Sequence, residues 1–222
     1  MAHLLASLEP FLLTALPSPE RVWLAEALSH EDPACLSADF TLAKRGVGEA
    51  VLADQSAPGW SRGPESAWLL AGAPADELAR VAILARATES ATDPEELVRE
   101  WYRLGDIREK RSVLRALPLL PHPSRFAEVG IAACRTSVQT VFEGICCENP
   151  YAAEHFPDAA FEQMVLKAFF TQVRVARIVG LSHRRSQRLA RLAQDYARER
   201  RAAGRAVPSD LDSVLISHGG RQ

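Results

Sequence analysis

At several points in this chain a residue able to cap a helix stands directly before a proline, among them Ser18-Pro19, Asp93-Pro94 and Asn149-Pro150. A capping side chain accepts a hydrogen bond from an orphan backbone N–H at a helix start. Proline, with its φ already helical and no N–H to lose, fits the first turn. Each pair therefore opens a helix, and the residues after each pair repeat with a helical period. After Ser18 come Val22, Leu24, Ala25 and Leu28 as a loose apolar face. After Asp93 come acids in the first turn and Gly105 as terminator, and Asp106 then caps "IREKRSVLRALPLL", with Ile107, Val113, Leu114 and Leu117 toward one side. Pro118, Pro121 and Pro123 end that run. In "SVQTVFEGICCE", Val138, Val141, Phe142, Ile145 and Cys146 fall at i, i+3, i+4, i+7 and i+8, the period of a helix facing a core. Two-residue alternation is nearly absent. The chain is expected to be all-α, built of stacked antiparallel helix pairs as a HEAT-like α-α superhelix, or else as an irregular helical bundle.

One stretch interrupts the helical grammar. "ADQSAPGWSRGPESA", residues 53–67, is rich in Gly, Pro and Ser and reads as a linker between an N-terminal helical unit, 1–52, and a main helical domain, 68–217. A chain of 222 residues with 47% hydrophobic residues is long and apolar enough for such a core, and a net charge of −2 argues against bulk electrostatic attraction to nucleic acid or membrane. The four cysteines, Cys35, Cys134, Cys146 and Cys147, lack the dense spacing of a disulfide scaffold, which favours a reducing compartment. The leucine-rich start has no basic leader and is broken by Glu9 and Pro10, so it reads as an amphipathic helix of a cytoplasmic protein rather than a signal. No uncharged apolar stretch approaches the roughly 20 residues that span a bilayer, so direct membrane insertion is not expected.

The stretch "CCENPYAAEHF", Cys146 to Phe156, looks at first like a site. Zinc sites built on cysteine use pairs two to four residues apart, whereas adjacent cysteines on a helix point about 100° from one another, and only His155 lies near. No metal and no cofactor is expected. Pro150 disfavours a helical Asn149, so the preceding helix should stop near Glu148 and Asn149 should cap a short new one. The following helix, "DAAFEQMVLKAFF", is apolar almost all round, with Gln163 and Lys167 four apart on one face. A lysine in such a setting needs a partner, and Glu143 and Glu148 on the preceding helix are the nearest acids in sequence. Two readings stay open: a closed internal ion pair, or a polar pocket between two helices that receives a ligand. The candidate ligand or partner residues are Arg135, Glu143, Glu148, Asn149, Tyr151, His155, Gln163 and Lys167.

Other motifs point less clearly. "RGVGEA" has a Gly-x-Gly without a preceding strand or third glycine, which does not make a dinucleotide site. Between Arg174 and Arg205 stand ten arginines against two acids, Asp195 and Glu199. Leu189, Leu192, Ala193 and Tyr196 form the apolar stripe of that segment, leaving Arg184, Arg188, Arg191 and Arg198 among the outward groups. Such a face can meet phosphates or an acidic partner, but aromatic side chains for base stacking are missing, so nucleic acid is disfavoured.

The segment "ACRTSVQTVFEGICCENPYAAEHFPDAAFEQMVLKAFF", with "RIVGL" and "LARLAQDYARERRAAGRAVPSDL" after it, resembles the EboA family of metabolite-traffic proteins, over roughly Trp101 to Leu211. The "ENPY" joint followed by "FEQMVLKAFF" is its most distinctive part, and the first hundred residues carry little of it. The resemblance implies an all-helical accessory protein without established catalytic residues. It also implies bacterial and algal gene clusters that encode a prenyltransferase-like membrane protein, a sugar-isomerase-like protein and hydrolases, and movement of a secondary-metabolite precursor toward the periplasm. Arg135, Glu143, Asn149, Pro150, Tyr151, Gln163 and Lys167 lie within the matching motif. The expectation is a non-enzymatic protein that binds a small metabolite, co-encoded partner proteins, or both. The alternative is an enzyme acting on an isoprenoid-like or sugar-derived metabolite, with Glu143, Glu148 or Lys167 in acid/base roles.

Overall fold

The computed structural model describes residues 2–52 and 73–215, with side chains from Leu8 onward. The expected linker, 53–67, lies outside the described residues. Among the described residues there are eleven α-helices and four short 3-10 helices, with no strand. Val51 and Pro74 form only an isolated antiparallel bridge. The fold is all-α. The chain divides into two units, the first running to Ile145 and the second beginning at Cys146.

The first unit contains α1 (Ala2–Ala15), α2 (Ser18–Ser29), α3 (Pro33–Val47), α4 (Ala75–Ser90), α5 (Pro94–Leu104), α6 (Ile107–Ala116), α7 (Ala127–Ala133) and most of α8 (Gln139–Cys146). Helix α4 is its centre and packs against α1, α2, α3, α5 and α6. Its sequence explains this. Alanines at 75, 79, 82, 85 and 87 let neighbouring helices approach from several directions, and Leu78, Val81, Ile83 and Leu84 are all buried. Five other helices of the unit meet on this one.

Local signals account for several helix boundaries here. Asp93 accepts from the backbone N–H groups of Glu95 and Glu96 at 3.1 Å, with Pro94 in the first turn, and Gly105 ends α5 by donating its N–H to the Trp101 carbonyl at 3.0 Å. Asp106 and Glu109 form a reciprocal capping box on α6. Asp32 and Pro33 open α3 in the same way. Ser18 corrects the reading: α2 starts on it, because the extended backbone of Pro17 takes the cap position and no side chain caps the helix. The "RGVGEA" stretch also acquires a packing role. A Cβ on Gly46 would lie 2.2 Å from the Trp23 ring, so the bare backbone of α3 is what admits that indole from α2.

The second unit comprises α9 (Tyr151–His155), α10 (Asp158–Phe170), α11 (Gln187–Ala202) and 3-10 turns at Val175–Arg177 and Leu211–Val214. Helices α10 and α11 are clamped by aromatic contacts. The Tyr196 hydroxyl donates to the Phe169 carbonyl at 3.1 Å, its ring stacks on Phe169 with centroids 5.7 Å apart, and it meets Phe170 edge-on. At the other end of the pair, Ser186 caps α11 through the Leu189 N–H and donates to the buried Glu162, which also accepts from Arg188 at 2.7 Å. The buried charge of α10 is thus Glu162, with 4% of its side chain exposed, whereas Lys167 is half-buried and Gln163 is exposed.

Candidate functional site

The residues singled out in sequence are divided between the units. Arg135 is exposed in the turn after α7, and Glu143 on α8 accepts from Gln139 at 2.8 Å; both belong to the first unit. The other six lie in the second. Glu148, Asn149, Tyr151 and His155 are gathered at the joint before α9 and along it, and Gln163 and Lys167 lie along α10.

That joint is tightly tied. Glu148 sits in the left-handed region, with φ 44°, which a side-chain-bearing residue adopts only when its surroundings hold it there. What holds it is Arg177. The Glu148 N–H donates to the Arg177 carbonyl at 2.9 Å, while the Arg177 guanidinium donates in fork geometry to both carboxylate oxygens at 2.7 and 2.8 Å. Asn149 is buried and accepts from the Tyr151 N–H at 3.0 Å, but Pro150 takes the cap position of α9, so Asn149 stands one residue before the cap expected of it. Cys146 and Cys147 are both buried, with Sγ atoms 3.4 Å apart.

A second arginine of the basic segment closes α9. Arg184 donates to the carbonyls of Ala153 and Phe156 and to Asp158, and its guanidinium lies 4.8 Å over the Phe161 ring. Arg184 therefore does not belong to the outward face expected of the basic segment. It precedes α11 and binds inward.

His155 lies tilted against Tyr151 with ring centroids 4.8 Å apart, and among the described residues its buried Nε2 has no hydrogen-bond partner, 3.7 Å from the Glu154 carboxylate. Burial pushes the His155 pKa below 6.5, with Glu154 opposing only in part, and burial likewise pushes the Tyr151 hydroxyl up. The sign follows from linkage. An imidazole whose pKa is lower folded than unfolded adds nothing above the unfolded value, and it destabilises the fold as pH drops through about 6.5 toward the folded value. Thermal stability is expected to fall over that window, and His155→Gln to flatten this part of the pH profile. An unchanged slope in melting scans between pH 7 and 5 would refute the assignment.

A cavity lies elsewhere in the second unit. It has a volume of about 390 Å³, within the range of small-molecule sites, and sits between the C-terminal ends of α10 and α11. Both helices end in the same hydrogen-bond pattern. Val173 and Gln172 donate back to Ala168 and Phe169, with Gln172 left-handed at φ 60°; Arg205 and Gly204 donate back to Arg200 and Arg201, with Gly204 at φ 65°. Glycine fits this position without strain and glutamine does not, so the strained one of the two is Gln172, which lines the cavity. Phe169, Val173, Val207 and Pro208 supply apolar wall, and Arg174, Arg200, Ser209 and Asp210 the polar groups. Asp210 accepts from the Val175 N–H at 2.7 Å, which pins the 206–210 wall in place. Helix C-termini carry partial negative charge worth about 0.3–1 kcal/mol to a nearby ion, and here the carbonyls are already bonded back. A guanidinium hydrogen bond to a charged group is worth about 1.5–3 kcal/mol, so the arginines decide the sign of the cavity.

The first unit holds a cluster that sequence reasoning missed. Asp76 and Glu77, in the first turn of α4, are buried beside Arg80, Arg108, Arg111 and Arg115. Asp76 accepts from Arg80 at 2.5 Å and from both ends of the Arg108 fork, and Arg108 also meets Glu49. Burial works against the Arg108 charge, but Asp76, Glu49 and Asp106 outweigh it and hold its pKa above the ordinary value. Glu77 faces Arg111 at 3.2 Å and Arg115 at 3.3 Å. A cavity of about 120 Å³ adjoins the cluster, but the two arginines and two acids lining it are paired with opposite charges, so it offers a ligand no net charge. The sequence signal was present. Acids and an arginine at i+4 in an alanine-rich apolar helix demand partners for the same reason that Lys167 does.

A family model described as Metabolite traffic protein EboA matches residues 22–215, so the match begins well before the segment that carries the resemblance in sequence. No curated protein and no solved structure matches the chain.

Proposed function

The chain belongs to the EboA family, and from that premise we propose that it is a non-enzymatic accessory protein that holds a small metabolite in the cavity between the ends of α10 and α11. The observation that carries this is the cavity itself: about 390 Å³, lined by apolar side chains together with a few polar ones. A carrier needs no reacting group. It needs enough enclosed apolar surface to retain cargo and enough polarity to choose it. Among the described residues no helix is long and apolar enough to cross a membrane. The protein would work in the cytoplasm, passing its cargo, a secondary-metabolite precursor, to co-encoded proteins that move it toward the periplasm.

The joint residues support this role indirectly. Glu148 and Asn149, with Arg177 and Arg184, fix the path of the chain on either side of α10, and α10 forms one wall of the cavity. Full-length protein isolated from cells expressing the whole gene cluster is expected to release a small molecule near one per chain on denaturation, read by mass spectrometry. Ser209→Trp, which places an indole at the cavity mouth, should abolish that release while leaving the unliganded melting temperature within about 2 °C. Release of nothing from wild type, or equal release from the variant, would overturn the proposal.

A further inference from the structure

Building on the cavity reading, we infer that the cargo is an organic oxyanion: a carboxylate or phosphate monoester on an apolar body, met by Arg174 and Arg200. Pairing with carboxylates divides the arginines of this unit. Four arginines of the second unit have carboxylate partners: Arg177 with Glu148, Arg184 with Asp158, Arg188 with Glu162, and Arg198 with Asp195. Among the described residues, the two arginines that line the cavity have none; Arg185, Arg191, Arg201 and Arg205 have none either, but do not line it. Arg200 is held in place by its Nε–H, which donates to the Ala206 carbonyl at 3.0 Å, and by the Tyr196 ring 5.9 Å beneath its guanidinium. Its terminal nitrogens are left for another acceptor. Arg174 is exposed and makes no side-chain contact with a described acid. The one acid lining the cavity, Asp210, spends an oxygen on the Val175 N–H.

Both arginines therefore line the same cavity as Phe169, Val173, Val207 and Pro208. Guanidinium forks match the paired oxygens of carboxylates and phosphates, and the wall matches a ring or hydrocarbon. Neither half alone selects strongly. Together they favour an amphipathic anion over a neutral molecule of the same body.

The test uses full-length protein and two fluorescent probes with nearly the same body, 1-anilinonaphthalene-8-sulfonate and its uncharged analogue N-phenyl-1-naphthylamine. Arg174→Gln and the double variant Arg174→Gln/Arg200→Gln are expected to weaken the sulfonate probe at least tenfold and the neutral probe less than twofold. Arg174→Gln carries the result alone if Arg200→Gln disturbs the Ala206 turn. Inorganic phosphate should displace the sulfonate probe and not the neutral one. Arg185→Gln/Arg191→Gln, which removes two exposed arginines away from the cavity, should leave both probes unchanged.

If the cavity variants weaken both probes equally, or the Arg185/Arg191 pair weakens the sulfonate as much, the oxyanion assignment is wrong. If Ser209→Trp leaves both probes bound at wild-type affinity, the cavity is not the binding site and the proposed function fails with it. Blockage of both probes by Ser209→Trp, combined with no charge discrimination, removes the oxyanion and keeps the carrier.

Discussion

Asp76→Ala is expected to cost about 3–5 kcal/mol, measured by chemical denaturation, which is a large share of the stability of a small domain. The Asp76 side chain is completely buried and accepts from Arg80, whose own side chain is only 3% exposed. Arg80 keeps its hydrogen bond to the Phe40 carbonyl at 2.9 Å and its position near the Phe40 ring, but neither supplies a negative charge. Without Asp76 the guanidinium is buried and uncompensated at the centre of the first unit. Arg108 suffers less, because it is 40% exposed and retains Glu49. The loss is therefore assigned to Arg80, and that assignment is checkable. Asp76→Leu combined with Arg80→Met removes both charges, and it is expected to recover most of the stability, because well-packed apolar residues commonly replace a buried pair at little cost. A loss under about 1 kcal/mol for Asp76→Ala, or no recovery in the double variant, would show that the pair is not what holds α4.

Tyr151→Ala is expected to cost about 3–5 kcal/mol, on the scale of truncating a buried aromatic. Tyr151 has no exposed surface, stands edge-on to Phe156 with ring centroids 6.1 Å apart, and lies against His155. Tyr151→Phe separates ring from hydroxyl. It should cost no more than about 1.5 kcal/mol, the net worth of one hydrogen bond, and should leave metabolite retention unchanged if Tyr151 acts through packing. Retention lost in Tyr151→Phe at nearly wild-type stability would move the cargo site from the cavity to the joint.

These two variants probe different kinds of knowledge. Tyr151 stands out in sequence because Asn149 and Pro150 precede it, and the structure places it in the short helix that those residues open. Asp76 stands out less: Arg80 at i+4 in an alanine-rich helix is a signal, but an aspartate near a helix start is ordinary on any surface. Its importance comes from the enclosure of α4, which buries its pair with Arg80, while Arg108, 32 residues away in sequence, meets the same carboxylate. Lys167 shows the converse. Its neighbours in sequence are apolar, which marks it as buried, yet the packing of α11 covers Glu162 instead and supplies Ser186 and Arg188 to satisfy it. A charge in an apolar helix signals that some face is enclosed, but not which one.

The basic segment divides the same way. Ten arginines in a row of helix and turn look alike in sequence. In the fold Arg177 and Arg184 are internal clasps, Arg188 holds a buried acid, and Arg174 and Arg200 face a cavity.

The amino-acid order alone determined that the chain is helical, where several helices begin and end, and which family it belongs to, since caps, proline positions and apolar period act within a few residues and do not depend on what packs nearby. Only the tertiary structure decided which carboxylates are buried, which arginines are left without one, and where a cavity opens. Those outcomes depend on groups some 25 to 35 residues apart meeting in space, and no local preference specifies such meetings.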